Sequence, residues 1–168
     1  MSGKSIQKGW TFFQNGVRIQ GAHEFTPPVI AITKTDLRTG AQDAPTPVDD
    51  GMEALTCQIK FYGLDTTMLS SFGFISGSKP MFTAYQGYLS NGAVQGTIEV
   101  VEGFVFSVTP DARGNSNLAE SATTVDIAVS YYKKNLDGIE LVEIDTERFM
   151  RRINGVDQLA TLAAKIRV

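Results

Sequence analysis

Few residues in this chain are equipped for chemistry. His23 is its only imidazole and Cys57 its only thiol. A catalytic nucleophile needs a base within hydrogen-bond reach and a third group to orient that base. His23 lies between Gly21 and Phe25 with no such company, and reads as a surface or turn histidine. Cys57 shares strand parity with Leu55, Ile59 and Phe61, so it reads as a core thiol. A reactive thiol wants exposure and a positive field. A single Cys forms neither an intrachain disulfide nor a cysteine zinc site, and a single His forms no multi-histidine metal centre.

Carboxylates and arginines remain. Asp49, Asp50 and Glu53 are close in sequence but lack the spacing of a calcium loop. They read as a solvated segment or one that faces a basic partner. Glu140, Glu143, Asp145 and Glu147 fall along or just after a strand, and nothing marks two of them as an acid and nucleophile pair. Arg148, Arg151 and Arg152 form a basic cluster without interleaved aromatics. That pattern suits salt bridges at an interface better than nucleic-acid binding. The glycine motifs that cradle phosphates and the turn that presents a nucleophilic serine are absent from the sequence. The residues therefore point to assembly, with no enzyme and no cofactor expected.

The elements that must position these residues are mostly strands. Asn15-Gly16, Asn91-Gly92 and Asp137-Gly138 each separate two apolar runs. These dipeptides tolerate positive φ at both central turn positions, which predicts three two-residue hairpins. Leu55, Cys57, Ile59 and Phe61 alternate with polar residues; Val125, Ile127, Val129 and Tyr131 do the same against Asp126, Ala128 and Ser130. In Thr97–Val108 the set Ile98, Val100, Phe104 and Phe106 alternates, but Val101 and Val105 make the other face apolar too. A strand apolar on both faces needs two covers, and another subunit can supply one. A helix is expected at about Asp65–Phe72, capped by Asp65, stapled by Leu64 and Leu69, striped by Met68, Leu69 and Phe72, and ended by Gly73. A short C-terminal helix is expected at Asp157–Ile166, capped by Asp157. Residues 38–51 read as a long loop, rich in Gly, Pro and Asp.

Composition agrees with an ordinary globular chain of 168 residues, expected to be a single domain over 1–168. Fifteen Lys and Arg face eighteen Asp and Glu, a net charge of −3 that argues against gripping nucleic-acid backbone. The N-terminal MSGKSIQKGWTFF lacks the apolar run of a secretory signal, and no apolar run approaches the ~18 residues of a membrane helix.

The run YYKKNLDGIELVEIDTERFMRRINGVDQLA, residues 131–160, resembles the end of the major tail tube protein family of P2-like contractile-tailed phages and the related R-type bacteriocins. The marks are Tyr131–Lys133, Asp137-Gly138, Glu140, Val142-Glu143-Ile144-Asp145 and Ile153-Asn154-Gly155-Val156-Asp157. Phe12, Asn15-Gly16 and Gly21 resemble the family's opening hairpin. Arg38, Gly40, Asp43, Pro45 and Asp50-Gly51-Met52-Glu53 resemble its long loop and the strand after it. Thr39-Gly40-Ala41-Gln42 departs from relatives that carry more Gly and a Met there.

The resemblance implies a mainly β, antiparallel sandwich or barrel with a flanking helix, in which six copies form a ring and rings stack into a hollow tube. The partners it implies are further copies of the chain, a sheath protein outside, a tape measure protein in the lumen, and baseplate and tail terminator proteins. It implies a virion tail assembled in the bacterial host cytoplasm, with DNA passing through unbound. A headless bacteriocin or a secretion-system-like tube is the alternative. Asp126 and Ser130, on a polar strand face, are the lumen candidates. Residues 38–53 set Arg38 against Asp43, Asp49, Asp50 and Glu53, a local net of −3. Residues 143–168 carry Arg148, Arg151, Arg152, Lys165 and Arg167 against Glu143, Asp145, Glu147 and Asp157, a net of +1. The expectation is that the acidic segment meets the basic C-terminal segment, about 145–168, of an adjacent subunit.

Overall fold

The computed structural model describes residues 4–73, 79–114 and 118–168. Twelve strands dominate: β1 (Ile6–Gln14), β2 (Val17–Arg18), β3 (Ala22–Thr26), β4 (Ile32–Leu37), β5 (Thr46–Met52), β6 (Leu55–Tyr62), β7 (Met81–Ser90), β8 (Ala93–Pro110), β9 (Ala122–Leu136), β10 (Ile139–Asp145), β11 (Met150–Ile153) and β12 (Val156–Asp157). Two short helices accompany them, α1 (Thr66–Leu69) and α2 (Ala160–Ile166). The main sheet runs β12-β11-β10-β9-β8-β7-β1-β2, with β6 and β3 branching from β9. Every strand pairing in it is antiparallel. The sheet curls over its own core but closes into no barrel within one chain.

The hairpins form where the dipeptides require them. Asn15-Gly16, Asn91-Gly92 and Asp137-Gly138 all have positive φ at both residues. Asn154-Gly155 makes a fourth such turn, joining β11 to β12, which the reading of the sequence passed over.

β9 is the axis. Its first half, Ala122–Val129, pairs with β6, and its second, Tyr131–Leu136, with β10. β8 follows it along both. At the switch the register shifts between Glu102 and Gly103, leaving Ser130 as an extra residue. A bulge of this kind reverses side-chain parity. Val125, Ile127 and Val129 are buried, and beyond the bulge Tyr132 takes the core face. The expectation for Tyr131 is therefore corrected: it turns outward. Both apolar faces of β8 are present. Val101 and Val105 face the core, while Ile98 and Phe106 are exposed on the outer face.

The core is built from Phe12, Phe61, Phe82, Ile59, Ile127 and Val105 with their neighbours. Phe25 of β3 lies over Phe12 at 5.3 Å, and Phe82 stacks against it at 5.9 Å. Burying each such side chain favours the fold by roughly 2 kcal/mol. Cys57 is buried here, and desolvation pushes its thiol up to about 12, so it is inert. Glu99 also lies on the core face, 1% exposed. It accepts from Tyr132 Oη at 3.1 Å and Gln86 Nε2 at 3.2 Å, with Lys134 Nζ 3.4 Å away. Burial, and then the nearby Glu99 charge, raises the Tyr132 hydroxyl far above its ordinary value. Strand parity places Glu99 inside, although a lone Glu in a sequence reads as solvated.

The helices differ from expectation. α1 is one turn long, with Asp65 capping it through Met68 N at 3.1 Å. Only Met68 is buried; Leu64 is 82% exposed, so no staple forms, and Leu69 and Phe72 also face solvent. Gly73 adopts positive φ as foreseen, past the end of the helix. α2 begins three residues later than read, because Asp157 belongs to β12. Its carboxylate accepts from Arg151 N and Leu159 N, so it serves the hairpin and not the helix start.

The segment 38–51 is not loop throughout. β4 and β5 form a separate two-stranded ribbon, closed by the rung Leu37–Thr46. The prolines suggested loop, but Pro47 pairs opposite Asp36 in a ribbon where a missing N–H is tolerated. The turn proper is 38–45.

The bulge gives a direct test. A Cβ at Gly103 would lie 1.9 Å from Ala128 O and 2.8 Å from Ala128 C, both backbone. Gly103→Ala is expected to cost about 3 kcal/mol or more in urea unfolding. Gly87→Ala meets nothing closer than 4.0 Å and should stay within about 1 kcal/mol of the parent.

Candidate assembly interfaces

The ribbon β4–β5 stands out from the body as an arm. Every residue of β4 is exposed, and all of β5 but Met52. A two-stranded ribbon is marginal by itself, and this one is tied down at its base. Met52 packs against the core. Asp49 Oδ2 accepts from Arg151 Nη2 at 2.6 Å, and Asp49 Oδ1 from Gly51 N at 3.0 Å. The Arg151 hydrogen bond is the first cause, and the Gly51 amide the second, that hold the Asp49 carboxyl below the usual aspartate range.

Parity on β11 decides which arginine does this. Arg151 points to the covered side and is 7% exposed in its side chain; Arg152 points outward. The Nε of Arg151 is buried with no partner. Beside it is a cavity of about 400 Å³, lined by Met52, Phe149, Met150, Leu159 and Leu162 on its apolar side and by Asp49, Asp145, Thr146 and Gln158 on its polar side. Phe149 is held at φ 54, in the left-handed region that a bulky residue rarely adopts, and its ring forms part of that wall.

Arg152 lies over a second cluster. Its Nη1 is 3.1 Å from Glu143 Oε2 and 3.6 Å from Glu140 Oε1. A register shift between Glu140 and Val142 brings the two carboxylates onto one face. Glu140 is raised, first by its hydrogen bond to Glu143 and then by burial. Glu143 is lowered: burial alone would raise it, but hydrogen bonds from Glu140 and Tyr131 outweigh this, with Lys133 and Arg152 adding to them. Tyr131 Oη donates to Glu143 Oε1 at 3.2 Å.

The other predicted residues are dispersed. Arg148 is largely in solvent, 3.7 Å from Asp145. Arg38 Nε donates to Gln42 O at 3.2 Å within the arm's turn. Asp50 Oδ2 accepts from Thr35 Oγ1 at 3.0 Å, and Asp43 and Glu53 are exposed. So the structure joins Asp49 to Arg151 inside one chain and brings none of the other arm carboxylates to an arginine outside the arm. Asp126 accepts from Gln58 Nε2 at 2.9 Å, and Ser130 Oγ donates to Glu102 O at 3.3 Å.

A family model described as phage tail tube protein FII matches residues 5–166. The chain belongs to that family. It is a structural family of contractile-tail tube proteins. The tail tube protein of Escherichia phage P2 is 25% identical over 152 residues, covering 88% of each chain. Two chains of the extracellular contractile injection system PVC share the fold at 10% identity. One, from the sheath/tube terminator, has TM-score 0.59 over 75% of this chain and 92% of its own. The other, from the sheath-tube complex, has TM-score 0.58 over 75% and 87%.

Seen as a tube protein, the chain shows surfaces that residue-by-residue reading of charges missed. The outer face of β7 and β8 exposes Met81, Tyr85, Ile98 and Phe106. α2 buries none of its side chains, leaving Leu162 and Ile166 half in water. The signal for the first was already in β8, whose two apolar faces asked for two covers.

The Asp49 contact makes a pH prediction. A carboxyl lowered in the folded state adds stability above its unfolded value of 3.8, and loses it as pH falls through the lower folded value. The gap in urea midpoint between the parent and Asp49→Asn should be constant from neutral pH down to about 5 and narrow progressively below that.

Proposed function

We propose that copies of this chain close into six-membered rings by joining the open edges of their sheets, and that the rings stack into the hollow inner tube of a contractile tail. The observation that carries this reading is the unfinished edge at each end of the main strand order. β1 has β7 on one side, but on the other it meets β2 only at Phe13 and Gln14. From Ile6 to Thr11 that edge carries no strand among the described residues. At the opposite end the sheet stops at β12, two residues long. Long unpaired edges invite strand addition, and closure into a ring removes them. The family and the P2 relative give the reading its context.

In such a ring the outer face of β7–β10 becomes an inner wall, with Asp126 and Ser130 on it. A net charge of −3 per copy suits a conduit, since a basic wall would hold passing DNA phosphates. The sheath and the tube terminator are proposed partners on the likeness to the PVC chains; tape measure and baseplate proteins complete the set. The same geometry would serve a headless particle. Arg38, Asp43, Asp49, Asp50 and Glu53 of the arm, and Arg148, Arg151 and Arg152, are the proposed contacts between subunits.

Purified chain mixed with baseplate and tape measure proteins should give hollow tubes with six-fold end views in negative stain. Sedimentation as a monomer under those seeded conditions would contradict the proposal.

A further inference from the structure

Residues 131–134 of β9 read Tyr-Tyr-Lys-Lys. Successive residues of a strand face opposite ways, so each face of β9 receives one tyrosine and one lysine. An acid meets them on both sides. On the core face Tyr132 Oη donates to Glu99 Oε1 at 3.1 Å, and Lys134 Nζ lies 3.4 Å from the same oxygen. On the outer face Tyr131 Oη donates to Glu143 Oε1 at 3.2 Å, and Lys133 is the partner of Glu143 in register.

A one-residue slip exchanges the two faces of a strand, and burial normally opposes it. Here the doublets make the exchange nearly silent. Let Tyr131–Leu136 advance one place toward the Asp137-Gly138 turn. Ser130 then fills the place opposite Glu102, and the bulge is gone. Tyr131 stands opposite Val101, where Tyr132 stands now, and Lys133 opposite Glu99, where Lys134 stands now. The buried carboxylate keeps one hydroxyl and one ammonium. On the outer face Lys134 takes the place opposite Ile98 that Asn135 now holds.

Contacts at the two ends select the observed register. At one end Ser130 Oγ donates to Glu102 O, and Ser130 O accepts from Thr146 N and Oγ1. At the other Asp137 N donates to Gly96 O, and Asp137 Oδ1 accepts from Gly96 N. This register carries its own cost, since Asn135 Oδ1 is buried in it without a partner. The slip moves Asn135 to the place opposite Thr97, whose hydroxyl already donates to Gln86 Oε1.

We infer that the second half of β9 is a two-register strand, a conformational switch held in its observed state by Ser130 at one end and Asp137 at the other. Its throw is one residue, about 3.4 Å. The slipped state keeps the core-face chemistry at Glu99, trades Asn135 for Lys134 beside Ile98 and lengthens the turn at 137–138 by one residue. The switch needs no second copy, so it stands apart from the tube reading.

Disulfide trapping at a single spot reads both states. In a Cys57→Ala background, Ile98→Cys is combined with Asn135→Cys, its partner now, or with Lys134→Cys, its partner after the slip. In the observed register Ile98 and Lys134 face opposite sides of the sheet, which a disulfide does not span. Under slow oxidation the 98–135 pair should crosslink readily. The 98–134 pair should accumulate at least tenfold above its level in a chain with Ser130 deleted. That deletion removes the residue the slip requires and leaves 131–136 in their present places, so its 98–135 crosslink should persist. Ser130→Ala with Asp137→Gly, which keeps the positive φ of the turn, should speed 98–134 trapping at least tenfold over the parent. Equal 98–134 yields in the parent and the deletion would mark fraying and overturn the inference. Loss of the 98–135 crosslink in the deletion would overturn it too, as would unaccelerated 98–134 trapping in a double variant that still forms the 98–135 bond. Where the double variant forms neither bond, the parent and the deletion decide between them.

Discussion

Everything in this chain depends on the point where β9 changes partner. Ser130 is the extra residue there, and three contacts hold it. Its hydroxyl donates to Glu102 O, and its own carbonyl accepts from both the amide and the hydroxyl of Thr146. Gly103 stands opposite, at a spot where a methyl group would meet the backbone of Ala128. Before this point β9 pairs with β6, and the branch β6–β3 folds over the core. After it β9 pairs with β10, and the sheet continues to β11 and β12. One inserted residue thus separates the half of the sheet that covers the core from the half that carries the arginines. It also brings Tyr132 inward to Glu99 and leaves Tyr131 outside with Glu143.

The consequence is a fold that satisfies one face of its long strands. Val101, Val105 and Ile127 are sealed inside, while Tyr85, Ile98 and Phe106 stay in water. The arm and α2 extend the same pattern, since each has an apolar component and little cover. Scattered exposed apolar residues are ordinary on a monomer. Here they coincide with open strand edges and a projecting ribbon, and that coincidence is what a subunit of a larger closed structure requires.

Much of this was legible in the residues. The Asn-Gly and Asp-Gly turns located the hairpins because few other dipeptides accept positive φ twice. The alternation in β6 was clean because β6 has no bulge. The phase of β9 was misread at Tyr131 because the shift at Glu102/Gly103 leaves Ser130 as an extra residue, and a period of two cannot survive that. The arm read as loop because a ribbon without a core face has no apolar alternation to detect. The Asp49–Arg151 contact spans 102 residues, so topology chose it. Opposite charge in the two segments was visible, but strand parity on β11 decided that Arg151 faces in while Arg152 faces out.

The central claim is that copies of the chain complete surfaces the chain leaves open. Hydrogen–deuterium exchange on the soluble chain and on the seeded assembly tests it most directly. The account predicts fast exchange in the soluble chain for β4–β5 and for the amides of Ile6–Thr11 that point away from β7, with at least tenfold slowing on assembly. The amides of β6 and of Ala122–Val129, already paired, should change little. Equal exchange of the arm and the β1 edge in both states would contradict the account.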